Sequence, residues 1–267
     1  MSDNYLELSN WQVGLAALLI LVNGGISLAL RLDLGRSLML AALRMTLQLL
    51  LIGMVLQWVF TLQGWYAVVA LGALMTFIAG VSAVQRTEFR YRGMWLNSIL
   101  SVWASSWLVA GLALVAIVQV HPWYRPQYAI PLLGMILGNT LNGISLGLDR
   151  FGSELDSRRD YVEMLLTLGA TSWEAGRAVV RESLRTGMLP TLNAMAVMGI
   201  VSLPGMMTGQ LISGMQPTQA VKYQIVIMFL IASGTALGTM GVVVFSFLRL
   251  FDKYHRLRFE RLTKVSN

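Results

Sequence analysis

The chain has 267 residues, 56% of them hydrophobic and 12% charged, with 20 basic and 13 acidic side chains and a net charge of +7. A soluble domain carries about 25% charged residues, so this composition excludes a disordered chain, a coiled coil and a soluble enzyme of this size. The basic excess does not point to nucleic acid, because the Lys and Arg residues fall in short clusters between apolar runs. With no cysteine there is neither a disulfide framework nor a thiolate metal site.

Seven apolar runs reach the ~20 residues that a bilayer-spanning helix needs: 11–30, 37–62, 65–84, 95–120, 129–148, 188–213 and 223–248. Asp3 and Glu7 precede the first run, and it is too long for the apolar core of a signal peptide. The second run holds Arg44, the one formal charge within the seven, and Gln48 lies four residues on, on the same helical face. A charge at mid-bilayer costs at least ~2.5 kcal/mol. Arg44 therefore either snorkels to the headgroups or faces the bundle interior with Gln48, where it would line a path or hold a loop.

Seventeen of the basic residues fall in alternate connections and in the C-terminal tail, against two, Arg125 and Lys222, on the other side. The positive-inside rule then puts the N-terminus outside and the C-terminus in the cytoplasm. The tight turn at Gln63–Gly64 carries no charge, and Trp11, Trp58, Trp65, Trp95 and Trp123 sit near run ends, as interfacial aromatics do. Pro204–Gly205 interrupts the sixth run. A proline removes a helix hydrogen bond, so this run is either kinked or broken along a water-lined path, and an even helix count would make it re-entrant.

The fifth connection, 149–187, reads as two short helices. Ser157 with Asp160 has capping-box spacing, an apolar stretch Tyr161–Leu168 follows, and Gly169 supplies a stop. Thr171 with Glu174 starts the second helix, which carries Ala175, Val179, Val180 and Leu184 on one face. Such a pair either lies on the lipid surface or docks a soluble partner. The hinge at Gly169–Ala170–Thr171 favours docking.

No Asp, Glu, His or Cys lies within the seven runs. A tight Fe²⁺ or Zn²⁺ site wants carboxylate, imidazole or thiolate. The runs offer amide and thioether instead, and Met206, Met207 and Asn139 are the candidates there, weak because methionine also fills gaps in apolar packing. Gly143-Ile-Ser145-Leu-Gly147 fits the hydrolase elbow Gly-x-Ser-x-Gly, but it lies at the cytoplasmic end of a spanning run rather than on a strand-to-helix turn, with His121 on the opposite side of the membrane and His255 away in the tail. Pairs at Gly134/Gly138, Gly143/Gly147, Gly205/Gly209 and Gly234/Gly238 suit close helix contacts. None of the three lysines, Lys222, Lys253 and Lys264, follows a glycine, so a phosphate loop is missing and any ATPase is a separate protein.

Glu163 followed by Leu168-Gly-Ala-Thr171 is similar to the Glu-Ala-Ala loop of ABC-transporter permeases, with Met164 and Leu165 where the alanines would stand. A longer set of stretches resembles the FetB-like family of bacterial permeases, related to plant aluminium-tolerance permeases: Arg44 with Gln48, Gly138–Asn139 with Gly143, Leu168–Thr171, Ser202-Leu-Pro-Gly-Met-Met-Thr-Gly209 and Ala220-Val-Lys-Tyr-Gln224. The expectation is an all-α polytopic membrane protein of about seven transmembrane helices, one permease domain over 1–267 with a cytoplasmic coupling-helix loop. The resemblance implies the permease subunit of an ABC exporter of iron, another metal or a metal-linked molecule, in the bacterial inner membrane. It implies a soluble ABC ATPase partner, a homodimer, no nucleic acid, no cofactor and no catalysis in this chain. Glu163, Leu168, Gly169, Ala170, Thr171 and Glu174 would couple to the ATPase. Arg44, Gln48, Asn139, Pro204, Gly205, Met206 and Met207 would serve the path. A secondary carrier or channel, or a membrane scaffold without transport, stays open from the residues alone, although no internal repeat of the carrier type is evident.

Overall fold

A computed structural model describes residues 9–32, 34–62 and 64–265; Asp3, Glu7 and Gln63 lie outside them. Nine α-helices are found among these residues: α1 Asn10–Ala29, α2 Leu34–Leu62, α3 Trp65–Gln85, α4 Met94–Leu112, α5 Pro126–Ser157, α6 Arg159–Thr167, α7 Ser172–Val197, α8 Gly205–Ile212 and α9 Pro217–Leu250. A π-helical turn, Ala113–Ile117, extends α4, and two short strands, β1 Phe89–Tyr91 and β2 Leu262–Lys264, pair antiparallel. Six helices, α1 to α5 and α9, are long and apolar enough to cross a membrane.

The chain divides into two compact units, residues 1–63 with 209–215, and residues 64–208 with 216–267. In the first, α1 opens on a capping box between Ser9 and Gln12 and forms a hairpin with α2. The helices approach near their turn, where Gly24 faces Met39 and a Cβ on Gly35 would lie 3.3 Å from the Gly24 carbonyl oxygen.

The second unit is a bundle of five long helices, α3, α4, α5, α7 and α9, and close glycine contacts fix the relative direction of the last three. Ile136 and Thr140 of α5 meet Gly234 of α9, and about two turns past Thr140 Gly147 meets Thr239 and Val243, so α5 and α9 run parallel. Between them α7 runs antiparallel: Gly187 abuts Gly143 and Thr239, and Gly176 abuts Phe247 and Phe251. A Cβ on Gly143 would lie 2.5 Å from Thr235 and one on Gly187 2.7 Å from the Gly143 carbonyl oxygen, so glycine sets the closeness of these three helices. The Gly143/Gly147 and Gly234/Gly238 pairs thus serve packing within the chain. A Cβ on Gly138, Gly205 or Gly209 would meet nothing within 4 Å.

Two sequence expectations change. The fifth run does not end at 148: α5 continues to Ser157, its charged extension held by Glu154, which is buried and salt-bridged at 2.6 Å to both Arg150 and Arg158, each one turn away. Ser157 is therefore the last residue of α5, its hydroxyl donating to the Glu154 carbonyl, and it caps nothing; α6 begins without a side-chain cap. The sixth run, 188–213, is not one helix. It comprises the last turns of α7, a turn at residues 198–204, and α8. Gly199 has φ +81°, a conformation that glycine adopts without strain, and Pro204 stands just before α8, its carbonyl accepting from the Thr208 amide.

Because α5 and α9 are parallel, the chain between them returns from one end of the bundle to the other. It makes that return through α7 and the broken segment that follows.

Candidate functional site

The site has two parts, one at the α6 end of the bundle and one at the break after α7. At the first, α6 buries Val162 and packs Leu165 and Leu166 against the bundle, and leaves Tyr161 and Met164, with Leu168 just past its end, exposed along one face. Leu168 is 77% exposed. Glu163 is spent locally, accepting from Arg159 Nε at 2.8 Å. Gly169 has φ +91°, and the Ala170 amide donates back to the Leu165 carbonyl, which closes α6. Thr171 and Glu174 form the expected capping box: the Thr171 amide and hydroxyl donate to Glu174 Oε2 at 2.8 and 2.7 Å. Those bonds, first the one from the backbone amide, hold the Glu174 carboxyl below its usual range. Ala175, Val179 and Val180 are buried in the bundle core, so the apolar face of α7 packs on protein and is unavailable to lipid.

The C-terminal tail, read from sequence only as a basic cluster, is a folded strap around this end. It turns back at the Phe251–Leu257 bridge, with Asp252 and Arg258 paired across the turn. The arginine holds the Asp252 carboxyl below its ordinary range. His255 Nδ1 accepts from the Ser172 amide at 3.0 Å, at the first residue of α7. The Phe259 ring lies 4.4 Å beneath the Arg159 guanidinium of α6, and β2 then pairs with β1. At the end of β1, Tyr91 is buried, hydrogen-bonded to Ser246 and to Asn97 Nδ2, and its burial pushes the phenol up. These partners lie 80 or more residues apart in several cases, beyond the reach of local spacing arguments.

The second part is a cavity of about 540 Å³ at the break, where the ends of α7 and α8 meet α9. Its lining is mostly apolar and includes Met195, Met198, Pro204, Met207, Gln224 and Met228. Gln224 is 6% exposed; its Nε2 reaches Met198 Sδ at 3.9 Å, and its Oε1 has no hydrogen-bond partner among the described residues. Of the residues expected along a path, Pro204 and Met207 line this cavity, and Met206 and Gly205 do not. Asn139 donates to the Met135 carbonyl on its own helix at 2.9 Å. Arg44 and Gln48 are exposed on α2, in the other unit. The methionine–asparagine trio named from sequence is therefore not assembled; Gln224 and Met228 take part instead. In the sequence Gln224 stands out only through the resemblance carried by Ala220–Gln224. Among the described residues no group of three His, Asp or Glu side chains is placed to hold a metal.

Comparison with known proteins adds the family. The model of an uncharacterised protein family, UPF0014, matches residues 10–251. The chain belongs to the UPF0014 family. It is 39% identical to the UPF0014 membrane protein slr1647 of Synechocystis, over 92% of this chain and 94% of that one. It is 28% identical to the "Probable iron export permease protein FetB" of Escherichia coli, over 97% and 98%. It is 30% identical to the protein ALUMINUM SENSITIVE 3 of Arabidopsis thaliana, over 80% and 77%. No solved structure matches. As a UPF0014 protein with six helices fit to span a bilayer, the chain is an all-α, multi-pass membrane protein.

Proposed function

We propose that this UPF0014 protein is the permease subunit of an ABC exporter, powered by a separate ATPase that docks on α6, and that its cargo is a metal ion or a metal-linked small molecule. The observation that carries the reading is the exposed apolar face Tyr161–Met164–Leu168, set on a helix braced from behind by Val162, by the capped start of α7 and by the tail strap. A surface helix that only floated on lipid would need no such bracing. A helix that transmits a push from an ATPase into α7, and through α7 to the break at the cavity, requires it. The relative named as an iron export permease supports export of a metal. In this reading the protein is an inner-membrane homodimer with its N-terminus outside, and the α6 end faces the cytoplasm, where the positive-inside rule places the basic connections.

The experiment pairs the permease with its ATPase in proteoliposomes and measures ATP hydrolysis and metal efflux. Leu168→Asp puts a charge at the centre of the docking face, and Gly169→Val forces a left-handed backbone that costs a side-chain-bearing residue about 1–2 kcal/mol. Both variants are expected to insert normally and to lose at least roughly tenfold in coupled hydrolysis, as loss of a buried contact worth more than ~1.4 kcal/mol would give. Wild-type coupling in both variants contradicts the docking assignment.

A further inference from the structure

The cavity at the helix break carries a statement about cargo, resting on the reading of this break as part of the transport path. Met195 and Met198 come from the last turn and the end of α7, Met207 from α8, and Met228 with Gln224 from α9. Met135 of α5 and Met198 both pack against the cluster of Ile227, Met228 and Ile231. Every polar atom the lining side chains offer is a lone-pair donor, thioether sulfur or amide oxygen, apart from the Gln224 amide nitrogen, which is already turned to Met198. Gln224 Oε1 is buried and has no hydrogen-bond partner among the described residues, an arrangement that is costly in an apolar setting unless a ligand approaches it.

Among the described residues no acidic side chain lines the cavity. Lys222 lines a separate cleft with Gln219 and Tyr223. The ends of α7 and α8 meet here with dipoles of opposite sense, so the backbone adds little net field and the side chains decide. The cost of burying an ion rises with the square of its charge, so a divalent ion would cost about four times a monovalent one in a pocket that has no carboxylate to offset it. Thioethers are soft ligands that select Cu(I) over Fe²⁺.

We propose that the Met195–Met198–Met207–Met228 cavity, with Gln224, is a binding site for a soft monovalent cation of the Cu(I) class. The site holds the ion by thioether sulfurs from both sides of the break, so a movement of α7 against α9 separates the ligands and releases it.

The test uses the full-length chain in lipid nanodiscs without ATPase, with Ag(I) as an air-stable probe of this class. Retained silver is counted per chain by elemental mass spectrometry. Wild type is expected to retain about one more Ag(I) per chain than the Met195→Leu/Met198→Leu variant, since leucine keeps the volume and removes the sulfur. Met240→Leu, exposed on α9 and outside the cavity, is expected to retain as much as wild type. Excess Fe(II) is expected not to displace the silver. If the double variant fails to fold, Met228→Leu makes the same comparison, with a retention loss of roughly tenfold expected. Equal retention in wild type and a folded cavity variant, no retention at all, or displacement by Fe(II) overturns the proposal. Because no ATPase is present, silver binding here with no coupling through α6 would leave this site standing and sink the exporter reading, and the reverse outcome would do the opposite.

Discussion

Single residues set the working parts of this molecule. Gly169 sits at φ +91°, and the next helix aims where that turn sends it. Glu174 shows how a local bond becomes a pH dependence. Its carboxyl is held below the ordinary value of 4.5 chiefly by the Thr171 amide. A depressed carboxyl contributes stability that is fully present above the unfolded value and is lost as pH falls through the folded one. Glu174→Gln keeps a capping side chain but cannot titrate. Wild type should therefore unfold at a higher temperature than Glu174→Gln at neutral pH, and the gap should close as pH falls below 4.5. A gap of the same size at pH 7 and pH 3 would contradict the assignment.

At the scale of elements, what was legible in the sequence was what is local. Gly169 and the Thr171–Glu174 box lie within six residues of each other, and both stand as expected. The interruption of the sixth run was visible in Pro204–Gly205, although the helix already ends at Val197, where Gly199 takes the turn. The extension of α5 was hidden because Arg150, Glu154 and Arg158 look like loop residues by charge, yet pair at one-turn spacing on a helix. The strap and the cavity were illegible for a different reason: His255 meets Ser172, and Met198 meets Gln224, only after the chain has folded. The strap makes its own prediction. His255→Leu leaves the Ser172 amide without its acceptor, at a cost of about 1 kcal/mol for a half-buried donor. Amide exchange at residues 172–174 should quicken by roughly fivefold, with the bundle amides of α5 and α9 unchanged. No change at 172–174 would mean that the tail does not brace α7.

At the scale of the whole molecule, parallel α5 and α9 fix the direction of α7, and with it which end of the bundle carries α6, the strap and the two-stranded sheet. The central claim is that this end meets a soluble ATPase. The chain has no native cysteine, so one introduced at Thr167, exposed on α6 beside Leu168, reports alone. The measurement is maleimide labelling of Thr167→Cys in inside-out membrane vesicles, with and without bound ATPase. The account predicts rapid labelling of the isolated permease and protection once the ATPase is bound; labelling at the same rate in both states would contradict it.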